Sequence, residues 1–445
     1  MPAASKQTAK PGPRWLRMRL KALCPAPKGK MQHFALAVSG GADSLSMMVL
    51  ASQAQQKNLK FTVLTFNHNL RPEAVKEARY VAKLAKQFGL PVKTLAWQRQ
   101  DEKPKGDVQA KARAARYEAM LAYCARQKLD GLILAHHLQD QAETFLQRLI
   151  RGSSVDGLSA MQAVSYLDKM LLGGHVPILR PFLETNQTDL HQCLTASGLQ
   201  PVHDPSNSDN RFQRVLLREN RDYLENLGLT AEKLAATAAR LQPARAVLHQ
   251  LTQEALSQHV QVGVYGQMSF DRKAFQALPQ EIGIRFLRQI FSWHQDYPPR
   301  HTRLEAIYQT ICDAKHQKRQ TLAGLICDTQ KAQVFIYREP AAIDPSPMLV
   351  EAGQTAVWDR RFSVKLSKKI ASDLQITPLG AEGAQDLRDK GVKLPKLPAK
   401  ILHGLPCIRA QTARQKAGKR LGVPKILSHP EIAVDLWLEN FKNKP

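Results

Sequence analysis

His33-Phe34-Ala35-Leu36-Ala37-Val38-Ser39-Gly40-Gly41-Ala42-Asp43-Ser44 is the stretch that decides the fold. An apolar run from His33 to Val38 meets a Gly-rich turn, and the apolar, helix-compatible stretch Leu45 to Ala51 follows. The pattern predicts a buried strand, a tight turn and a helix. Glycines let the backbone approach phosphate oxygens, and the helix N-terminus offers unpaired N–H groups and a positive dipole end. Ser39 and Ser44 add hydroxyl donors. The Walker spacing G-x-x-x-x-G-K-[ST] and its lysine are absent. Asp43 would repel a bare triphosphate, so its place in an anion-binding turn makes sense if it holds a magnesium ion that bridges the phosphates.

Downstream, strand patterns at Phe61 to Phe66, Val92 to Trp97 and Gly131 to Ala135 alternate with helical patterns at Glu73 to Phe88 and Val108 to Gln127. Another helix is expected from Glu184 to Gly198. Alternation of this kind predicts a doubly wound, mainly parallel α/β sheet with helices on both faces. After Glu225 the texture becomes Ala/Leu/Gln-rich and helical from Thr230 to Leu256 and again from Phe275 to Ile311. Beyond Asp344, prolines and short strand candidates at Thr355 to Trp358 and Phe362 to Leu366 predict a small α+β domain. The expected division is a basic arm over 1–30, the α/β domain over 31–225, a helical domain over 226–345 and a small basic domain over 350–445.

The chain has 445 residues and a formal net charge of +26, which favours a polyanion such as RNA over an acidic metabolite as its partner. Residues 1–31 carry eight Lys and Arg and no acid, which suits either an RNA-contacting arm or a transit peptide; four interrupting prolines favour the arm. No apolar run approaches the roughly 18 residues of a membrane span, so a soluble protein is expected, and the scattered cysteines fit a reducing cytoplasm. Six cysteines lie far apart without a C-x-x-C pair, which argues against a zinc site or a redox dithiol.

Two further constellations carry chemistry. Ala135-His136-His137-Leu138-Gln139-Asp140-Gln141-Ala142-Glu143-Thr144 follows a predicted strand, at the sheet edge where ligands of such folds bind. Placed on one helix, His136, His137, Asp140 and Glu143 share a face, so two carboxylates and imidazole converge. A zincin pattern is not present, and an Asp/His metal site is the alternative reading. Asp204-Pro205-Ser206-Asn207-Ser208-Asp209 leads to Phe212, Arg214 and Arg218; the two arginines, four apart on a helix, can face one phosphate.

The string Ser39-Gly40-Gly41-Ala42-Asp43-Ser44 resembles the signature of the PP-loop ATP pyrophosphatases, which cleave ATP between its α and β phosphates. The stretch from His136 to Ser153, continuing to Met161, is similar to the H-H-x-x-D-Q-x-E-T motif of the tRNA(Ile)-lysidine synthetases. Asn67-His68-Asn69-Leu70-Arg71 resembles the D-H-x-L-R segment of that family, Gln109 to Tyr117 its Q-x-x-A-R-x-x-R-Y, Leu179 to Phe182 its R-P-L, and Asp204 to Arg218 its D-x-x-N-x-D-x-x-F-x-R-N-x-x-R. The departures are Asn67 for an acid and Val215 for an asparagine.

The resemblance implies ATP with magnesium, free L-lysine and an isoleucine tRNA with a CAU anticodon, whose wobble cytidine is adenylated at C2 and then attacked by lysine. It implies that Ser39, Gly40, Gly41, Ala42, Asp43 and Ser44 hold the nucleotide, Asp43 also the metal. Arg214 and Arg218 would stabilise phosphate charge, Asp140 and Glu143 would bind lysine, and His137 is a candidate proton acceptor. His68, Arg71, Arg113, Arg116 and Tyr117 would touch the tRNA. The rival readings are a PP-loop tRNA thiolase and a non-enzymatic RNA-binding protein with an ATP fold. The sequence leaves the oligomeric state open.

Overall fold

The computed structural model describes residues 10–27, 29–69, 73–97, 108–166, 176–202, 213–292, 299–313, 317–351, 353–366, 374–389, 391–410 and 432–436. It forms two compact units, 1–245 and 246–445.

The first unit runs α1 (Pro13–Leu23), β1 (Gln32–Ala37), α2 (Ala42–Ala54), β2 (Leu59–Asn67), α3 (Glu73–Gln87), β3 (Val92–Ala96), α4 (Val108–Arg126), β4 (Gly131–Ile133), α5 (Leu138–Ile150), α6 (Val155–Leu158), β5 (Val164–Tyr166), β6 (Pro177–Leu179), α7 (Gln187–Ser197), α8 (Gln213–Glu219) and α9 (Arg221–Asn226). Its six-stranded sheet has the order β3-β2-β1-β4-β6-β5. Every pairing in it is parallel except that of β5 with β6. The chain winds outward from β1 to β3, then returns to place β4 on the other side of β1. The turns after β1 and β4 therefore open into one crevice at the carboxyl edge, where ligands of such sheets bind.

Alternation along β1 explains the layering. Phe34 and Leu36 enter a core with residues of α1, α2, α3 and α7, whereas Ala35 faces a second core built on Tyr117, Met120, Leu121 and Cys124 of α4. Helix α2 is buried from Ser44 through Ala51, so it is apolar all round, as a central helix must be. The doubly wound α/β fold expected from the sequence is the fold observed.

Three differences have physical causes. The stretch read as a basic arm contains α1, whose Leu16 and Leu20, one helical turn apart, are fully buried, while Trp15 stacks on Phe182 at 5.6 Å. Its prolines stand at and before the first helical position and beyond the last, where they do not break a helix. Second, α5 begins at Leu138, because the Asp140 carboxylate accepts the backbone N–H of His137 at 3.0 Å and starts the helix there. His136 therefore precedes the helix instead of sharing its face.

The third difference lies beyond α10 (Ala231–His259), the helix in which the two units divide. The segment read as a helical domain also carries strands: it contains β7 (Gln261–Val262), β8 (Met268–Asp271), α11 (Arg272–Gln276), α12 (Gln280–Ser292), α13 (His301–Cys312), β9 (Lys318–Leu322), β10 (Leu325–Thr329) and β11 (Gln333–Arg338). The strands make an antiparallel sheet, β7-β8-β11-β10-β9. Helices α12 and α13 bury Phe286, Phe291 and Leu304 against its Phe270, Cys327 and Ile336. The remainder consists of β12 (Met348–Val350), β13 (Thr355–Trp358), β14 (Phe362–Leu366), β15 (Leu374–Pro378), α14 (Gly380–Asp389), α15 (Ala399–His403), β16 (Pro406–Ala410) and β17 (Ile432–Leu436), with two three-stranded antiparallel sheets. Among the described residues no helix is long and apolar enough to cross a membrane.

Candidate active site

The turn after β1 is built to present backbone. Gly40 has φ +94°, a left-handed conformation that strains any residue with a Cβ, and a Cβ there would lie 3.0 Å from Val202 Cγ2. Gly41 caps α2, and the hydroxyl of Ser44 donates to its carbonyl at 2.9 Å while accepting the N–H of Ser39 at 3.2 Å. The loop thus closes on itself and leaves the first N–H groups of α2 directed at the crevice.

Asp43, on the first turn of α2, is clamped by a helix 144 residues further on. Gln187 Nε2 donates to its Oδ1 at 3.2 Å, and His191 Nε2 stands 2.7 Å from the same atom. His137 Nε2 lies 3.4 Å away. Burial alone would push the Asp43 carboxyl up, but the nearby His137 ring and the bonds from His191 and Gln187 outweigh it and hold the group well below the usual carboxylate range. The ionised form of Asp43 is therefore the favoured one. The helix carrying Gln187 and His191 is in turn fixed by Gln139, which donates to Asn186 Oδ1 at 2.7 Å and accepts the N–H of Gln187 at 3.0 Å.

The acids of α5 face α8. Arg214 Nε and Nη2 donate to Oε2 of Glu143 and Oδ1 of Asp140, and Arg218 Nε donates to Oε1 of Glu143 at 2.6 Å. The two carboxylates and two guanidinium groups expected to act separately, acids on an amine and arginines on phosphate, are paired with one another. His137, fully buried beside them, is pulled down by burial but raised overall by Asp43, Asp140 and Glu143. Its neighbour His136 behaves oppositely: burial and the guanidinium groups of Arg180, Arg113, Arg214 and Arg116 push it well below the ordinary imidazole value. It is a neutral imidazole within a cationic ring.

Tyr117 organises part of that ring. Arg113 donates to its hydroxyl at 3.2 Å and lies 5.2 Å from the ring centre, with Arg116 at 5.5 Å from the same centre. Arg180 is held by Gln162 O and Ser165 Oγ at 3.0 and 2.8 Å. His68, half-buried, follows β2 at the same carboxyl edge of the sheet. Arg71 and the segment Asp204 to Phe212 lie outside the described residues. Asn67, in place of an acid, uses its Oδ1 to accept the N–H of Asn69 at 2.9 Å and so retains an acceptor's role; Val215 is buried on α8.

Other motif residues shape the site without entering it. Gln141 exchanges hydrogen bonds with the backbone of Met161, both at 2.8 Å, and Arg148 donates to the carbonyls of Gly157 and Ala160 at 2.8 and 2.9 Å. Together they fold the Gly/Arg segment back onto α5. Sequence reasoning did not single out Gln187 and His191: no spacing signal joins α7 to a loop so far upstream. Arg180 was visible only as part of a short resemblance.

A parallel sheet with this loop at its switch point, its helix N-terminus open to phosphate and an anion fixed beside it, defines a PP-loop ATP-using enzyme, and residues 16–221 match the family described as PP-loop domain. The chain is 34% identical over 352 residues to a tRNA(Ile)-lysidine synthase of Wolbachia pipientis wMel, covering 78% of this chain and 79% of the relative. It is 32% identical over 355 residues to one from Ruegeria pomeroyi, covering 79% and 80%, and 38% identical over 313 residues to one from Methylobacterium nodulans, covering 68% and 90%. The chain belongs to the tRNA(Ile)-lysidine synthase family.

Proposed function

We propose that this chain joins free lysine to C2 of the wobble cytidine of a tRNA(Ile) with a CAU anticodon, consuming ATP and releasing AMP and pyrophosphate. In the first step the C2 oxygen attacks the α-phosphorus and the bond to pyrophosphate breaks. In the second the lysine ε-amine attacks C2, loses a proton, and AMP leaves with the oxygen. The observation that carries the reading is the placement of the Ser39–Ser44 loop and the Asp140/Glu143–Arg214/Arg218 cluster on one crevice, bridged by His137.

In this reading Ser39, Gly40, Gly41, Ala42 and Ser44 hold the phosphates through backbone N–H and hydroxyl donors. Magnesium fits the donor set in one way. It is commonly held by one or two carboxylates plus substrate phosphates, and Asp43 is a fixed anion at the loop; among the described residues no cluster of three His, Cys, Asp or Glu could hold a metal without phosphate. Bound magnesium would neutralise charge on the phosphates. Arg214 and Arg218 exchange their carboxylates for the pyrophosphate, and Asp140 and Glu143 then receive the ammonium group and accept its proton, with His137 beside them. His68, Arg71, Arg113, Arg116 and Tyr117 contact the anticodon loop by charge and stacking. The mixed helical and antiparallel segment over 226–345 and the basic segment over 350–445 carry the rest of the tRNA, which accounts for the charge of +26. The setting is cytoplasmic.

A thiolase reading finds no support at Cys124: the thiol is fully buried and burial pushes it up to about 12, so it supplies no thiolate. The test is incubation of the protein with labelled lysine, ATP and tRNA(Ile) bearing CAU. The reading requires lysine in the tRNA and its loss in Asp43→Ala; sulfur transfer without lysine incorporation refutes it.

A further inference from the structure

Helix α1 carries charge that the proposed chemistry does not use. Its inner side is committed to the fold: Leu16 and Leu20 are fully buried, Trp15 stacks on Phe182, and Arg19 is paired with Glu184 at 2.8 Å. At about 100° per residue, Arg14, Arg17, Met18 and Lys21 fall on the opposite side; Arg14, Met18 and Lys21 are exposed and Arg17 is half-buried. No acidic residue stands between Lys10 and Met31. Among the described residues Arg14, Arg17 and Lys21 are paired with no carboxylate, whereas the inward Arg19 has its own. A helix face that meets only solvent ordinarily mixes both signs of charge, and this one is cationic throughout.

The helix also has a direction. Trp15 meets Phe182, and Arg19 Nε donates to the carbonyl of Pro181 at 3.4 Å, both just beyond the carboxyl end of β6. Cys24 lies at the opposite edge of the sheet: its carbonyl accepts from Gln32 Nε2 at 2.8 Å where β1 starts, and its Sγ stands 3.7 Å from the carbonyl of Asp130, just before β4. Helix α1 therefore runs against the strands and begins at the edge that carries the Ser39–Ser44 loop. Its entry is held there as well, with the Pro11 carbonyl 4.0 Å from Sγ of Cys193, on the helix whose His191 holds Asp43.

We infer that the outer face of α1, with Arg14, Arg17 and Lys21, is a contact surface for the phosphate backbone of RNA, leading away from the crevice edge. The inference rests on the reading that the substrate is a tRNA. Arg14 and Lys21 are seven residues apart, about 10 Å along the helix axis, so the three cations follow a line instead of converging. A line of charges matches a run of backbone phosphates and not one small anion, and such contacts position an RNA without reading its bases. The buried leucines hold the helix in place before any RNA arrives, so little ordering cost is left for binding. An anionic membrane is the poorer partner: a helix that lies on a bilayer buries its apolar side in it, and the apolar side of α1 is occupied by the protein core.

The test removes the charge and keeps the helix. Arg14→Gln, Arg17→Gln and Lys21→Gln are combined in the full chain, glutamine being a strong helix former, and binding of tRNA(Ile) bearing CAU is measured across a salt series. The triple variant is expected to bind about tenfold or more weakly than wild type, and its slope of log affinity against log salt to flatten by about 2 to 3. The KM for tRNA should rise with it, while the KM for ATP and the rate at saturating tRNA stay as in wild type. A control, Lys30→Gln with Lys57→Gln and Lys60→Gln, takes the same charge from the amino ends of β1 and β2 and should lose little. Equal losses in control and variant mean that net charge alone acts and overturn the inference, as does an α1 variant with wild-type affinity and salt slope. Binding to phosphatidylserine vesicles that the variant loses, with its tRNA affinity unchanged, assigns the face to a membrane and overturns it too. A wild-type protein that does not bind tRNA defeats the tRNA reading itself.

Discussion

His191 Nε2 lies 2.7 Å from Oδ1 of Asp43, although 148 residues separate the two. Helix α7 therefore sets the orientation of the single carboxylate at the nucleotide loop. With Gln187 on the same atom, one oxygen of Asp43 is committed to protein donors.

Substituting Asp43 by Asn separates shape from charge. The amide oxygen can still accept from Gln187 and His191, so the fold should hold, while the fixed anion is lost. Pyrophosphate release is expected to fall by about 10²–10³-fold, with a higher magnesium concentration needed for half-maximal rate. A magnesium titration of the variant checks both; an unchanged rate and magnesium requirement would remove Asp43 from its proposed role.

Arg214→Ala leaves Asp140 and Glu143, both nearly buried, without their main counterion. The guanidinium is itself more than a third exposed, so screening reduces the effect, and a loss of about 1–3 kcal/mol in denaturant unfolding is expected. Arg214→Lys should recover only part of it, because one ammonium cannot bridge two carboxylates as a planar fork does. Full recovery by lysine would show that charge alone matters there.

Gly40→Ala and Gly41→Ala should differ. At Gly40 the positive φ alone costs about 1–2 kcal/mol, and the added methyl meets Val202 at 3.0 Å. Gly41 has an ordinary φ of −71° and open space around its missing Cβ apart from Ser39 Oγ at 3.8 Å. As an N-cap change it should cost at most about 1 kcal/mol. Thermal unfolding of the two variants gives the comparison, and equal losses would contradict the geometry.

The adjacent histidines predict opposite pH slopes. His137 is raised in the folded protein, so its contribution to stability is fully present below the unfolded value of about 6.5 and is lost as pH rises through the folded value. His136 is depressed: below about 6.5 the unfolded chain takes up a proton that the folded one refuses, so stability is lost as pH falls. Denaturation of His137→Gln and His136→Gln between acid and alkaline pH should flatten the alkaline and the acid side respectively. Identical profiles for both variants would contradict the assignment.

Much of this was legible in the residues. The apolar strand, the Gly-rich turn and the alternation after it gave the parallel sheet, since period and turn chemistry are local properties; strands at Phe61, Val92 and Gly131 fall within a few residues of their reading. The motif from His136 onward placed Asp140, Glu143 and His137 in one neighbourhood. What was not legible depends on tertiary contact. The clamp of α7 on Asp43 and the pairing of Arg214 with Glu143 join residues 71 to 148 positions apart, which no periodicity encodes. The burial of α1 was hidden by its charge, because its apolar stripe is narrow beside the surrounding Lys and Arg. The five-stranded antiparallel sheet of the second unit was missed because β9 to β11 are short strands in a region dominated by helical patterns.

The most direct measurement follows the α-phosphate. With α-labelled ATP and tRNA(Ile) bearing CAU, but no lysine, the label should become attached to the tRNA while pyrophosphate is released. Adding lysine should free the label as AMP and leave lysine on the wobble cytidine. Lysine incorporation without a tRNA-bound label, or AMP formed in the absence of tRNA at the same rate, would contradict the account.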